Sequence, residues 1–160
     1  MVHIDIVCVG KIKESYLRDA ISEYSKRLSR FCKLNIIELN DEKIPDSCSA
    51  TVAEAIKKKE GDNIISHLKK DSYILALDLK GKELDSVAFS QKINTIYSNI
   101  NSNITFIIGG SLGLSPEVLS SCNELISFSK MTFPHQLIRV FLLEQVYRAF
   151  KIINNESYHK

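Results

Sequence analysis

The strongest constraint on this chain is an alternation. Short, β-branched apolar runs take turns with longer segments that carry a single apolar stripe. Val2–Val9 reads as a buried strand ending at Gly10. Ser15 is placed to cap a helix to about Arg30, with Leu17, Ala20, Ile21, Tyr24 and Leu28 on one face. Residues 34–39 read as a second strand, and residues 40–49, with Pro45, as an exposed loop. Residues 51–70 read as a helix in which Gly61 is a weak point or a break. Residues 73–78 follow as a third strand, then a Lys80-Gly81-Lys82 turn. Ser86 is placed to cap a helix to about Ile100, and residues 104–108 make a fourth strand. Ser115-Pro116-Glu117 joins a cap, a first-turn proline and an acid at the positive end of a helix. Residues 125–128 form a short fifth strand and residues 134–153 a long final helix. Strands separated by helices cannot pair as hairpins. The expected fold is α/β, a mostly parallel sheet with helices on both faces.

The 160 residues make about one domain, and with 44% hydrophobic residues the chain can bury a core without disulfides or a metal. No apolar run approaches the roughly 20 residues of a membrane span, so no membrane partner is expected. The start, Met1 to Val7, reads as a strand and not as a signal peptide. Cys8, Cys32, Cys48 and Cys122 are scattered, which suggests free thiols in a reducing cytoplasm and no metal site.

A net charge of +2 argues against a tail-driven nucleic-acid binder. The charge is unevenly spread, however. The last 32 residues hold five basic and two acidic groups, together with two of the four histidines. Lys57-Lys58-Lys59 reads as a solvated helix face, with contact to RNA phosphates as the sharper alternative.

The final helix is apolar nearly all round, which requires cover on more than one side. The sheet supplies one cover; a second subunit is the expected other. Near its start, His135, Gln136 and Arg139 fall within an arc of about 100°. A histidine and an arginine one turn apart at a helix N-terminus suit the handling of anions.

Gly109-Gly110-Ser111-Leu112-Gly113 follows a strand and precedes a helix. Its GGxxG spacing is neither the dinucleotide fingerprint nor a phosphate-binding P-loop, so a dinucleotide-dependent oxidoreductase is disfavoured. No nucleophile elbow or HExxH helix is present.

Larger strings carry more. Phe106 to Gly113, then Ser127-Phe128-Ser129-Lys130-Met131-Thr132-Phe133-Pro134-His135-Gln136-Leu137-Ile138-Arg139, then Leu143 to Phe150, then the terminal Tyr158-His159-Lys160, closely resemble the RlmH family. These are the large-subunit rRNA pseudouridine N3-methyltransferases of the SPOUT superfamily. The likeness spans the chain, including Val7-Cys8-Val9-Gly10-Lys11 and Leu75-Ala76-Leu77-Asp78. It implies a single SPOUT domain over residues 1–160, with a deep C-terminal trefoil knot. The knot and an S-adenosyl-L-methionine site would lie within about 73–160. Topological rules alone would have excluded a knot.

By motif, the resemblance assigns the cofactor to Leu77, to Gly109, Gly110 and Gly113, and to Ser129, Lys130, Met131, Thr132, Phe133 and Pro134. Leu77, Leu114, Met131 and Phe133 would supply apolar walls for the adenine. It implies a homodimer that methylates N3 of a pseudouridine in 23S rRNA, in the stem-loop facing the decoding centre, on assembled ribosomes. His135 and His159 are then candidates for handling the N3 proton. Arg139 would stabilise the developing anion or clamp a phosphate, and Tyr158 would stack on or hydrogen-bond the target base. Arg139 and the Tyr158-His159-Lys160 tail are expected to face RNA. The family commonly has Gly and then Pro before its terminal Tyr-His; here Asn154-Asn155-Glu156-Ser157 stands instead. Asn still permits a left-handed helix C-cap, while Ser157 leaves the tail freer. Two other readings are a SPOUT enzyme for another RNA base, such as one in tRNA, and a non-catalytic ribosome assembly factor.

Overall fold

The computed structural model describes residues 1–160. Five strands, β1 (Val2–Val9), β2 (Cys32–Leu39), β3 (Tyr73–Glu83), β4 (Asn103–Ile108) and β5 (Glu124–Ser127), form one sheet in the order β2-β1-β4-β3-β5. Every neighbouring pair is parallel. The helices are α1 (Ser15–Leu28), α2 (Ala50–Ser66), α3 (Ser86–Asn99), α4 (Pro116–Ser121) and α5 (His135–Ile153). This is the α/β architecture that the alternation predicts.

Side-chain alternation along the strands divides the core in two. Ile4, Ile6 and Cys8 of β1, with Ile104, Phe106 and Ile108 of β4, face α1, α3 and α5. Val7 and Val9 of β1, with Ile107 of β4, face α2 and α4. The central strands are buried on both faces, which explains their unbroken apolar runs. On the first face, α5 inserts Leu142, Leu143, Val146, Ala149 and Phe150, all buried. No helix is long and apolar enough to cross a membrane.

The caps differ from the sequence reading in detail. Ser115 caps α4 as expected, its hydroxyl accepting from the Val118 N–H. Asp85, not Ser86, caps α3 by accepting from the Ala88 N–H. At α1, Ser15 is the first helical residue and Glu14 holds the cap position without a side-chain bond. Each shift is one residue; Asp85 and Ser86 cap about equally well, whereas Glu14 takes the cap position without acting as a side-chain cap.

Two glycines were misread. β3 does not end in a turn at residues 80–82 but continues to Glu83, and its ladder with β5 slips in the middle. Ile126 lies opposite both Leu77 and Lys82, so residues 78–81 bow out as a bulge. A Cβ on Gly81 would lie 2.5 Å from the Ile126 backbone, so only glycine permits this approach. Gly61 does not break α2, which runs through it unbroken. There α2 passes so close to α4 that a Cβ would lie 2.3 Å from Ser115 Oγ.

Gly61→Ala therefore opposes two effects. Alanine gains about 1 kcal/mol in helix propensity. The added methyl collides with the hydroxyl that caps α4, an overpacking penalty of about 1–3 kcal/mol plus about 1 kcal/mol for a displaced cap. Urea unfolding should show a net loss of about 1–3 kcal/mol. A variant as stable as the parent would show that the α2–α4 contact has slack.

Candidate active site

In a parallel sheet all strands end at the same edge, where backbone groups and loops converge. A cavity of about 810 Å³ opens at the ends of β3, β4 and β5. Ile108, Leu114, Ile126, Phe128, Phe133 and Ile138 wall it, and Leu77, Asp78, Leu79 and Lys80 bound one side. The size and mostly apolar lining suit a small organic ligand of cofactor size.

The glycine loop forms its second side. Gly113 has φ +86°, a left-handed angle that favours glycine, and its N–H donates to the Gly110 carbonyl at 3.1 Å. The loop is thus a closed turn and also a cavity wall. Behind it lies the buried Glu60, whose Oε2 accepts from the Glu42 N–H at 3.0 Å. Burial pushes the Glu60 carboxyl above its usual range, partly opposed by that hydrogen bond.

The third side is the loop after β5. Ser127 Oγ donates to the Ser129 carbonyl at 2.8 Å, and Ser129 Oγ accepts from the Met131 N–H at 3.0 Å. These local bonds preform the loop. Phe133 stands edge-on to Phe141 at 5.5 Å. Of the ten residues expected at the cofactor, Leu77, Gly109, Gly110, Gly113, Ser129, Met131, Thr132, Phe133 and Pro134 line the cavity, and Lys130 does not. Met131 is 72% exposed, so it forms rim and not wall.

His135 and Arg139 have different surroundings from those expected. His135 lines the cavity. Arg139 does not face outward; it is only 1% exposed. Its Nη1 donates to Glu38 Oε2 at 2.8 Å, and its Nη2 donates to the Val9 and Gly10 carbonyls at 3.1 and 2.7 Å. Glu38 Oε2 also accepts the Ile12 N–H at 2.9 Å. Arg139 is an internal tie between α5 and the ends of β1 and β2, with no free face to clamp RNA. The physical reason is its helix position, which aims it under the β1 turn beside His135.

The tail lies elsewhere. Asn155 adopts φ +54°, and the Asn155 and Glu156 N–H groups donate to the Ile152 and Lys151 carbonyls at 3.0 and 2.8 Å. This is a Schellman ending, with asparagine in the left-handed place. Glu156 then pairs with Arg30 and with Lys151. Tyr158 packs edge-on to Tyr147 at 5.0 Å and donates to Glu144 Oε1 at 3.1 Å. His159 Nδ1 lies 3.3 Å from Arg148 Nη1. Tyr158 and His159 thus sit together against the middle of α5, and neither lines the cavity. Each lysine of the 57–59 run pairs with a carboxylate: Glu54, Asp62 and Glu42 respectively.

The sequence reading missed Asp78, Leu79 and Lys80 on the cavity, and Glu38 behind it. The first three lie in the β3 bulge, at the edge of the sheet where parallel strands place their ligands. Glu38 carried no sequence signal, since its partner is 101 residues away.

Comparison with known proteins agrees with this architecture. A family model described as "Predicted SPOUT methyltransferase" matches residues 2–159. The chain is 60% identical over 158 residues to "Ribosomal RNA large subunit methyltransferase H" of Clostridium botulinum (strain Okra / Type B1), covering 99% of each chain. Proteins of the same name from Clostridium novyi (strain NT) and Clostridium tetani (strain Massachusetts / E88) are each 58% identical, again over 99% of both chains. The chain belongs to the SPOUT methyltransferase family.

The surroundings of His135 set its titration. Burial is the main influence and the Arg139 guanidinium the second; both lower its pKa from 6.5, against a smaller upward pull from Asp41. The imidazole is therefore neutral at pH 7. The unfolded chain takes up this proton at a higher pH than the folded one. This residue's contribution to stability is present above pH 6.5 and is lost as pH falls from there through the folded pKa. A proton NMR titration should place the His135 midpoint below 6.5. A midpoint at or above 6.5 would mean that the ring is solvated or faces a carboxylate.

Proposed function

We propose that this chain transfers a methyl group from S-adenosyl-L-methionine to N3 of a pseudouridine in 23S rRNA. The target stem-loop faces the decoding centre, and the enzyme acts as a homodimer on assembled ribosomes. The observation that carries this reading is the preformed cavity between the glycine loop and the Ser129–Pro134 loop, in a chain alike end to end with relatives named as large-subunit rRNA methyltransferases.

The cavity fits the donor. Its volume of about 810 Å³ accommodates a nucleoside joined to an amino acid. Apolar side chains offer faces for adenine, and the backbone of the glycine loop and of residues 129–134 offers edge contacts. Leu77, Gly109, Gly110, Gly113 and the third loop, with Lys130 as its exposed flank, would hold it. When bound, the donor supplies an electrophilic sulfonium methyl, and no metal is needed. No group of three or more His, Cys, Asp or Glu side chains is arranged to hold one.

The protein's own part is to orient N3 in line with the methyl and to remove its proton. His135, neutral and on the cavity lining, is the base on this protomer. His159 is a second imidazole, delivered by the tail beside Tyr158, which supplies a ring to stack on the base. Arg139 acts from beneath, holding His135 and the β1 turn in place. The tail sits far from the cavity of its own protomer. A second copy, seated over exposed Met131 and Phe141 at the rim, supplies the complementary half. The family also implies a deep C-terminal knot, within which the proposed donor site would lie.

Four measurements test the reading. Calorimetry should detect S-adenosyl-L-methionine binding by the wild type, and no binding at near-millimolar ligand would end it. Mass spectrometry of 23S rRNA from a strain lacking the gene should miss one methyl on the expected pseudouridine, restored on complementation; a methyl lost from tRNA instead would redirect the target. Deleting Tyr158–Lys160 should cut ribosome methylation by about 100-fold or more while donor affinity stays within about twofold. Mixing that protein with His135→Ala should recover activity in mixed dimers. Failure to recover would place both parts in one protomer.

A further inference from the structure

The lining of the cavity contains one carboxylate, Asp78. The other ionisable side chains in that lining are Lys80 and His135, and His135 is held neutral at pH 7. The fold places Asp78 deliberately. It opens the bulge in which residues 78–81 leave the sheet between Leu77 and Lys82, at the edge where the cavity forms. Its Oδ1 accepts the Lys80 N–H at 2.8 Å, closing an Asx turn that fixes the side chain. That bond occupies one oxygen and leaves the second open to a ligand.

Beside the apolar walls of the cavity a carboxylate attracts a cation more strongly than it would in open water, with Lys80 as the one fixed cation in the same lining. The methyl donor and its product differ by one positive charge. S-adenosyl-L-methionine carries a sulfonium and an ammonium, whereas the thioether product keeps only the ammonium. On transfer, the methyl–sulfur bond breaks, sulfur keeps the electron pair, N3 gains the methyl, and the N3 proton leaves to an imidazole. The charge that disappears is the one at sulfur.

We propose that Asp78 is a specificity residue that makes this pocket select by charge at sulfur. Its carboxylate favours the sulfonium donor over the neutral thioether product, so the reaction itself loosens the pocket's hold and promotes product release. The inference rests on the reading that this cavity takes S-adenosyl-L-methionine.

Asp78→Asn isolates the charge, because an asparagine Oδ1 still accepts the Lys80 N–H and keeps the turn. Calorimetry would use the full-length protein with S-adenosyl-L-methionine, S-adenosyl-L-homocysteine and sinefungin, which carries an amine where the donor carries its sulfonium methyl. The wild type should bind both cationic ligands more tightly than the homocysteine analogue. The variant should lose about tenfold for each cationic ligand and at most about twofold for the neutral one. Equal losses for all three would overturn the proposal, placing Asp78 on the ribose or the ammonium that they share. No loss would overturn it too, placing the side chain away from the ligand. If the variant fails to fold, the wild type still decides, since equal affinity for donor and product refutes charge selection. Wild-type protein that binds none of the three refutes the cofactor reading itself, an outcome distinct from loss of selectivity.

Discussion

One guanidinium joins the two ends of the chain. Arg139 leaves the first turns of α5 and is held by the carbonyls of Val9 and Gly10 and by the Glu38 carboxylate. Burying such a charge is costly, and its partners must compensate. They do so incompletely, since Arg139 Nε has no acceptor, a cost of about 1–3 kcal/mol. A group that expensive persists for what it positions. His135 is one turn earlier on the same helix, and a Cβ on Gly10 would lie 3.3 Å from its Nε2. The turn after β1, the end of β2 and the start of α5 are therefore one packed unit. The cavity rim inherits its geometry from that unit.

From this anchor, the rest of the edge follows. β1 and β4 are central and buried on both faces, so their ends move little. The glycine loop continues β4, the bulge interrupts β3, and the serine-braced loop continues β5. Each is short and internally hydrogen-bonded. A ligand entering between them meets a preformed wall, with less entropy to lose on binding.

What was legible in the sequence was whatever local physics decides. The strands β1 and β4, the Ser115 cap and the left-handed asparagine near the C-terminus all follow from properties of a few adjacent residues. What was not legible depends on partners distant in sequence. Gly61 looks like a helix defect until α4 is laid against it. Gly81 between two lysines looks like a turn until Ile126 is seen pressed against it. Arg139 looks like a surface cation because its acceptors lie about 100 to 130 residues away. The motif strings located the cavity residues well, but they are silent on which direction a side chain takes. Asp78 was visible as part of a strand end, yet nothing short of the bulge marks it as facing a ligand.

The separation of tail and cavity also has a length argument. His135 and Lys151 are 16 residues apart on one unbroken helix, about 24 Å along its axis. Glu156 is tied to Lys151 and to Arg30, so the chain beyond it starts from that far end. The four residues after Glu156 extend at most about 14 Å. The tail folds back along α5, and its Tyr158 Oη reaches only Glu144, about 13 Å of helix short of His135 at the cavity. Reaching it would require breaking the Schellman ending, the Glu156 pairs and the Tyr158 packing together. Presenting the tail to a second copy breaks none of them. The proposed homodimer would thereby gain a composite surface, with the cavity of one copy facing the aromatic, basic tail of the other.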